Sequence, residues 1–340
     1  MVPKTLSVIL PNYNHSKYLP QCIDAILTQS YPPAEIIVVD DASTDNSVEI
    51  LQRYAEKCPN MKLICNEVNE GSISIFQSQW RQVTGEYLYA ASADDYILPG
   101  FFEKSINMME QYPEAGFCSG LTIVEDGEKK YLFPQAYNGI AAKCTYLNQE
   151  QVLNAFIERD WPIAGNTVIW RTKAARDVNG FPKELLNLQD EFTTQMLGLN
   201  YGACFIPEPL CYYRIVPGSF SAIYREDITK MRNLTDNSIK AMEVTYSERF
   251  PSSFVKYFKR RTRYSYMVGE LARKDRLERG QIDKWKNNNR RLGPLKGLFF
   301  YGLRKAVRVK KLALSLYLFL RFGSPSWFRV VRYFHQYRIN

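Results

Sequence analysis

EIIVVDDASTDNS, residues 35–47, changes character halfway along its length. Glu35–Val39 is an unbroken apolar run behind one acid, the pattern of a strand covered on both faces. It ends on two adjacent acids, Asp40 and Asp41. Ser43 and Asp45 follow as caps for a helix expected to run to Cys58. Strand, polar turn and helix make the repeating unit of a parallel sheet, whose ligands gather beyond the carboxyl ends of its strands.

The same unit recurs on either side. Leu6–Leu10 (LSVIL) is a short apolar run ending at Pro11, and Tyr18–Gln29 carries Leu19, Ile23, Ile26 and Leu27 at helical spacing. After Cys58 come a strand (KLIC, 62–65), a loop (NEVNEGS, 66–72), a helix expected to reach about Val83, and the strand EYLYA, 86–90. This alternation predicts an α/β domain with a mostly parallel sheet flanked by helices. PNYN, DDASTDNS and ADD all stand at strand ends, so three strands deliver polar groups to one edge.

AASADDYILPG, residues 90–100, poses a question of charge. Asp94 and Asp95 are adjacent anions behind a buried strand. Such a pair repels and resists burial unless a cation compensates it.

Composition narrows the answer. In 340 residues, 46% hydrophobic and 14% aromatic content describe a globular chain. The seven cysteines form no C-x-x-C pair, their number is odd, and no signal peptide is recognisable, so a reduced, cytoplasmic-facing protein is expected. With only His15 and His335, a histidine-rich metal site or a Ser-His-Asp triad is disfavoured.

The net charge of +9 is unevenly spread. Residues 1–220 hold 16 Lys and Arg against 26 Asp and Glu; residues 221–340 hold 28 against 9. After Asp283 there are 14 basic residues and no acid. Two regions are therefore expected, an α/β domain over 1–222 and a basic helical region over 223–340. The run Leu312–Leu320 is too short to span a hydrocarbon core, which needs about 20 residues. Flanked by Lys310, Lys311 and Arg321, it fits helices lying on an anionic membrane surface, or alternatively the solvated face of an ordinary helical subdomain.

LSVILPNYN, VVDDASTDNS and GEYLYAASADD, in that order, resemble the signatures of family-2 glycosyltransferases over roughly residues 5–220. The resemblance implies a Rossmann-like GT-A fold and inverting transfer from a nucleotide-sugar donor, with UDP as the default nucleotide. The acceptor would be a hydroxyl of a glycan or lipid-linked saccharide in cell-surface polysaccharide synthesis. It places Pro11 and Tyr13 at the nucleotide, where a tyrosine can offer its ring to a base. It assigns Asp41 to the nucleoside and leaves Asp40 a structural role, capping the next helix. Asp94 would help hold the nucleotide ribose or the water shell of a metal, and Asp95 would ligate that metal, Mn²⁺ or Mg²⁺, joining carboxylates to a diphosphate.

In NGFPKELLNLQDEFTTQMLGLNYG, 179–202, the residue matching the family's catalytic base is Asp190, with Glu191 beside it as the alternative. WPIAGNTVIWR, 161–171, is a candidate acceptor wall, with Trp161 and Trp170 either stacking on sugar or packing the core. Arg214 fits either a structural or a diphosphate-binding role.

Four departures from the family pattern stand out: Ser92 where an Asp is common, Phe76-Gln77 for Arg-Asn, Gln189 for Glu, and Val216 for His. Ser92 and Val216 suggest a leaner metal shell, and Ser92, Gln77 and Val216 keep a nucleotide-sugar-binding protein without catalysis as an alternative. A nucleotidyltransferase would carry a Gly-rich basic loop after the first strand, where this chain has PNYNHSKY. No nucleic-acid-binding motif accompanies the basic tail, so nucleic acid is not an expected partner. The expected location is peripheral, on the inner face of the cell membrane.

Overall fold

The computed structural model describes residues 5–132, 143–159, 161, 163–217, 219 and 227–272. Four strands open the chain: β1 (Leu6–Asn12), β2 (Glu35–Asp40), β3 (Met61–Cys65) and β4 (Tyr87–Ala90). They pair in parallel in the order β3-β2-β1-β4. The connections are α1 (Leu19–Leu27), α2 (Ser47–Lys57) and α3 (Ser72–Gln79). Leu6, Val8, Ile9 and Leu10 of β1 are fully buried, as a central parallel strand requires. Val8 and Leu10 belong to a core shared with Ile23 and Ile26 of α1 and with Phe101, Phe102 and Ile106.

The second half adds β5 (Tyr96–Ile97), β6 (Phe117–Asp126), β7 (Lys129–Leu132), β8 (Thr145–Leu147), β9 (Ile169–Arg171) and β10 (Ala203–Arg214). The ten-stranded sheet continues β4-β9-β6-β10-β5, with β7 on β6 and β8 on β10. β9 runs antiparallel to both neighbours while β6 and β10 are parallel, so a parallel half adjoins a mixed half. The remaining helices are α4 (Phe101–Gln111), α5 (Gln149–Arg159), α6 (Thr172–Asp177), α7 (Gln189–Tyr201), α8 (Ile228–Glu243) and α9 (Ser252–Ala272).

α3 stops at Gln79, short of the expected Val83. The chain must turn early because Gly85 lies hard against β1: a Cβ there would sit 2.6 Å from the Ser7 backbone nitrogen. α7 begins at Gln189, which brings Asp190 into its first turn.

The first compact unit extends to Val255, and residues 256–340 form the second. α8 lies in the first unit, capped by the Asp227 carboxylate on the Thr229 and Lys230 N–H groups. Phe192 of α7 packs against Tyr246 and Phe250, at ring distances of 5.3 and 4.9 Å. Among the described residues, no helix is long and apolar enough to cross a membrane. The Leu312–Leu320 run and the helices expected around it lie outside the described residues.

Candidate active site

The expected strand ends meet at one edge of the sheet. At the end of β1, Asn12 donates from Nδ2 to Asp40 Oδ2 at 2.7 Å and to Ser43 Oγ at 3.2 Å. Ser43 donates back to Asp40 through its backbone nitrogen (2.9 Å) and its hydroxyl (2.7 Å). Asp40 is fully buried. Its role is structural as expected, but it is no helix cap: it ties the ends of β1 and β2 together. Asp45 serves α2 instead, accepting the Ser47 N–H at 2.9 Å. Burial raises the Asp45 carboxyl, but hydrogen bonds from Ser47 and Ser16 prevail and hold it at about 2.

Asn14 adopts a left-handed φ of 56° and accepts the Thr44 N–H at 2.7 Å. With Asn12 and Asn14 both anchored to the second loop, Tyr13 is held between them with 44% of its surface exposed. Pro11 is half-buried beside Val39.

Asp41 is 2% exposed. Its carboxylate accepts from Asn66 Nδ2 (2.9 Å), Glu70 N (2.9 Å) and Gly71 N (2.8 Å). A carboxylate offers about four lone-pair sites, so this arrangement leaves room for roughly one more donor. Gly71 takes φ 86°, open to glycine at little cost, and that conformation turns its N–H onto the acid.

After β4 the chain crosses to β5 at the far edge of the sheet, and Asp94 and Asp95 lie in that crossing. Asp94 is half-buried; Asp95 is 4% exposed. Asp95 Oδ1 accepts the Arg214 N–H at 2.8 Å, and Oδ2 accepts from Asn166 Nδ2 at 3.3 Å. Burial, then the neighbouring Asp94 charge, push the Asp95 carboxyl well above the usual carboxylate range. Two adjacent carboxylates, each a hard oxygen donor, suit Mg²⁺ or Mn²⁺, ions that commonly bind through one or two carboxylates plus substrate phosphates. Among the described residues, no group of three or more His, Cys, Asp or Glu is placed to enclose a metal without such help.

Arg214 stands behind the pair as a strut. Its guanidinium donates to Glu125 Oε2 at 3.0 Å, to the Asp94 carbonyl at 2.8 Å and to Gln21 Oε1. It lies 4.5 Å from the centre of the Tyr96 ring and 5.2 Å from that of Tyr18. These contacts use Arg214 to hold protein together. Val216 follows just beyond the end of β10.

Asp190 lies in the first turn of α7, half-buried. Burial pushes its carboxyl up to about 6, with the Glu191 charge adding to the rise and the Glu191 N–H opposing it. Gly165 is its close neighbour: a Cβ placed there would lie 3.1 Å from Asp190 Oδ2. Glu191 is exposed and accepts from Gln195 at 2.9 Å. Asp95 and Asp190 therefore meet neighbouring residues of one turn, Asp95 through the Asn166 side chain and Asp190 beside Gly165.

Two of the departures from the family pattern bond to each other. Gln77 Nε2 donates to Gln189 Oε1 and to the Phe181 carbonyl, both at 2.6 Å. A neutral amide pair thus links α3 to the start of α7. Trp161 is not at this site. It is 3% exposed and packed among Phe117, Phe156 and Phe205, so it is a core residue with no face left for a sugar. Trp170 is likewise buried, its indole N–H donating to Thr194 Oγ1 at 2.8 Å. Asn12, Gly165 and Asn166 were not singled out by sequence reasoning. Asn166 lay within the proposed acceptor wall, but its spacing from Asp95 carries no periodic signal.

A parallel half, a mixed half beside it and an acidic crossing between them define a GT-A glycosyltransferase fold. The chain belongs to glycosyl transferase family 2, which matches residues 7–176. It is 28% identical over 244 residues to an uncharacterised glycosyltransferase of Haemophilus influenzae, covering 71% of this chain and 73% of that one. It is 27% identical over 212 residues to the poly(ribitol-phosphate) beta-N-acetylglucosaminyltransferase TarS of Staphylococcus aureus, covering 61% of this chain but only 35% of TarS. The structure of TarS 1–349 with UDP-GlcNAc superposes with a TM-score of 0.59 at 19% identity, covering 80% of this chain and 76% of that one. The mannosyltransferase PcManGT of Pyrobaculum calidifontis, bound to GDP-Man and Mn²⁺, gives a TM-score of 0.54 at 15% identity, covering 88% and 84%.

Proposed function

We propose that this protein is an inverting glycosyltransferase that moves a sugar from a nucleoside-diphosphate donor to an acceptor hydroxyl. The observation that supports the reading is that Asp95 and Asp190 meet adjacent residues of one turn, Asn166 and Gly165. One carboxylate then serves the leaving diphosphate and the other the incoming hydroxyl.

Tyr13 and Pro11 receive the base, Asp41 takes a base N–H or ribose hydroxyl, and Asp94 supports the ribose or the metal's water shell. Asp95 holds a divalent cation, which when bound supplies Lewis-acid stabilisation of the departing diphosphate. Asp190 takes the proton from the acceptor hydroxyl. The hydroxyl oxygen bonds to the anomeric carbon as the bond to the diphosphate breaks in line, so an α-linked donor gives a β-linked product. A carboxyl near 6 suits this task, because it is ionised at neutral pH yet more basic than a solvated aspartate.

UDP is the default nucleotide, supported by the UDP-GlcNAc complex of TarS, and Mn²⁺ is supported by the PcManGT complex. The TarS name supports a cell-surface polymer as the acceptor class. The basic segment after Asp283 would hold the enzyme on the anionic inner face of the membrane. The test is a panel of UDP- and GDP-sugars assayed for Mn²⁺-dependent nucleotide release. Asp95→Ala is expected to lose the response to Mn²⁺, and an unchanged metal profile would refute the ligand assignment.

A further inference from the structure

Asn166 does more than fill a turn. Its side chain holds Asp95 Oδ2 at 3.3 Å. Its own carbonyl accepts the Cys211 thiol at 2.7 Å and the Tyr89 hydroxyl at 3.2 Å. The next residue, Thr167, is fully buried, with its hydroxyl bonded to the Ala164 carbonyl at 2.8 Å and to the Gly120 N–H at 3.1 Å. The turn is thus fixed to β4, β6 and β10 at once.

Gly165 stands exposed at the other end of this rigid piece. Its φ lies outside the left-handed range, so backbone conformation does not demand a glycine. A Cβ there would have a single neighbour within 4 Å, Asp190 Oδ2 at 3.1 Å. The missing side chain therefore matters to the carboxylate, which keeps an open face where it meets the turn.

We propose that the Gly165–Asn166 turn positions the two halves of the site: Asn166 orients Asp95 toward the metal and diphosphate, and Gly165 leaves Asp190 clear for the acceptor hydroxyl. Both are positioning residues, acting through the acids beside them. The proposal rests on the reading of Asp95 as metal ligand and Asp190 as base.

The two residues should fail differently. In the full-length protein, UDP and GDP are titrated calorimetrically with and without Mn²⁺. The turnover number (kcat) and KM come from nucleotide release with the best donor of the sugar panel. Asn166→Ala should weaken Mn²⁺-dependent nucleotide binding by about 10- to 100-fold, as loss of a partner that orients a metal ligand does. Gly165→Ala should leave that binding unchanged and lower kcat by about 100-fold, the scale of a misplaced catalytic group. Should Asn166→Ala fail to fold, Tyr89→Phe removes one support of the turn without changing core volume, and should weaken the same binding by a smaller factor.

Wild-type Mn²⁺-dependent binding in the Asn166 and Tyr89 variants overturns the proposal. So does a Gly165→Ala variant whose nucleotide affinity falls in step with kcat, which marks a merely structural role. Asp190→Asn is run alongside. Activity in that variant overturns the base reading and this proposal with it, whereas an inactive Asp190→Asn beside a fully active Gly165→Ala overturns this proposal alone.

Discussion

As the proposed base, Asp190 concentrates the expected chemistry into one titration. Its carboxyl is raised from the ordinary 3.8 to about 6, first by burial and then by Glu191. A base must be ionised to act, so kcat/KM should climb as pH rises through about 6 and level off above. Asp190→Asn should reduce transfer by about 10²- to 10⁴-fold and abolish that limb, while leaving UDP affinity intact. The sign for stability is the reverse. A raised carboxyl pKa favours the fold below the unfolded value, and that advantage is lost as pH rises through 6. Asp190→Asn should therefore melt higher than wild type at pH 7.5 and lose this margin at pH 4. A variant no more stable at pH 7.5 would show that Asp190 is not held in the environment described. At this scale the acids were legible, because adjacent carboxylates at a strand end repel one another and persist there only where a cation or a set of donors compensates them. Their partners were not: Asn166, Asn12 and Arg214 act from segments whose closeness only the folded chain creates.

Elements decide how firmly Asp190 is aimed. Phe181 adopts φ 56°, which a bulky side chain rarely takes, and its ring meets Phe76, Trp80 and Trp170 edge-on at 4.8, 5.0 and 5.2 Å. The Phe181 N–H donates to Thr193 Oγ1 at 2.6 Å, and its carbonyl accepts from Gln77. The segment leading into α7 is thus clamped between α3 and the helix it precedes. Phe181→Ala should destabilise by about 3–5 kcal/mol in urea unfolding, through lost burial and the cavity left behind. Gln77→Leu leaves Gln189, which is 4% exposed, short of a hydrogen-bond donor and should cost about 1–3 kcal/mol. If Gln77→Leu proved neutral, the amide pair would have no structural role. Helical spacing located α1 and the polar turn after β2 located α2, but the expected helix after β3 overran the end of α3. It could not register that Gly85 must press against Ser7. Gln77 and Gln189 each looked like a loss when read one position at a time, and their pairing shows one amide answering the other.

At the scale of the whole molecule, charge divides the chain before structure does. The acidic region 1–220 provides the carboxylate edge, and the residues after Asp283 are basic without exception among ionised groups. Full-length protein should sediment with vesicles containing phosphatidylserine or phosphatidylglycerol and not with phosphatidylcholine alone. That binding should weaken steeply between low and physiological salt. Equal binding to neutral vesicles would remove the electrostatic anchor. The compact unit continues past the composition shift near residue 220 as far as Val255. Charge content changes where solvent and partners change, whereas the packing of Tyr246 and Phe250 on Phe192 follows apolar spacing that a charge count ignores.

Arg214 carries one more implication, for the order in which the molecule assembles. Its N–H reaches Asp95 across 119 positions of chain, and Asn166 reaches the same carboxylate across 71. The β1–β2 and β2–β3 ladders close far shorter loops. Pairings distant in sequence form slowly, so the parallel half can nucleate while the acidic crossing still waits for β10 to arrive. After dilution from urea, recovery of Mn²⁺-dependent UDP binding should lag behind recovery of the helical circular dichroism signal. A nascent chain paused before Arg214 would then hold most of a nucleotide fold and no competent site.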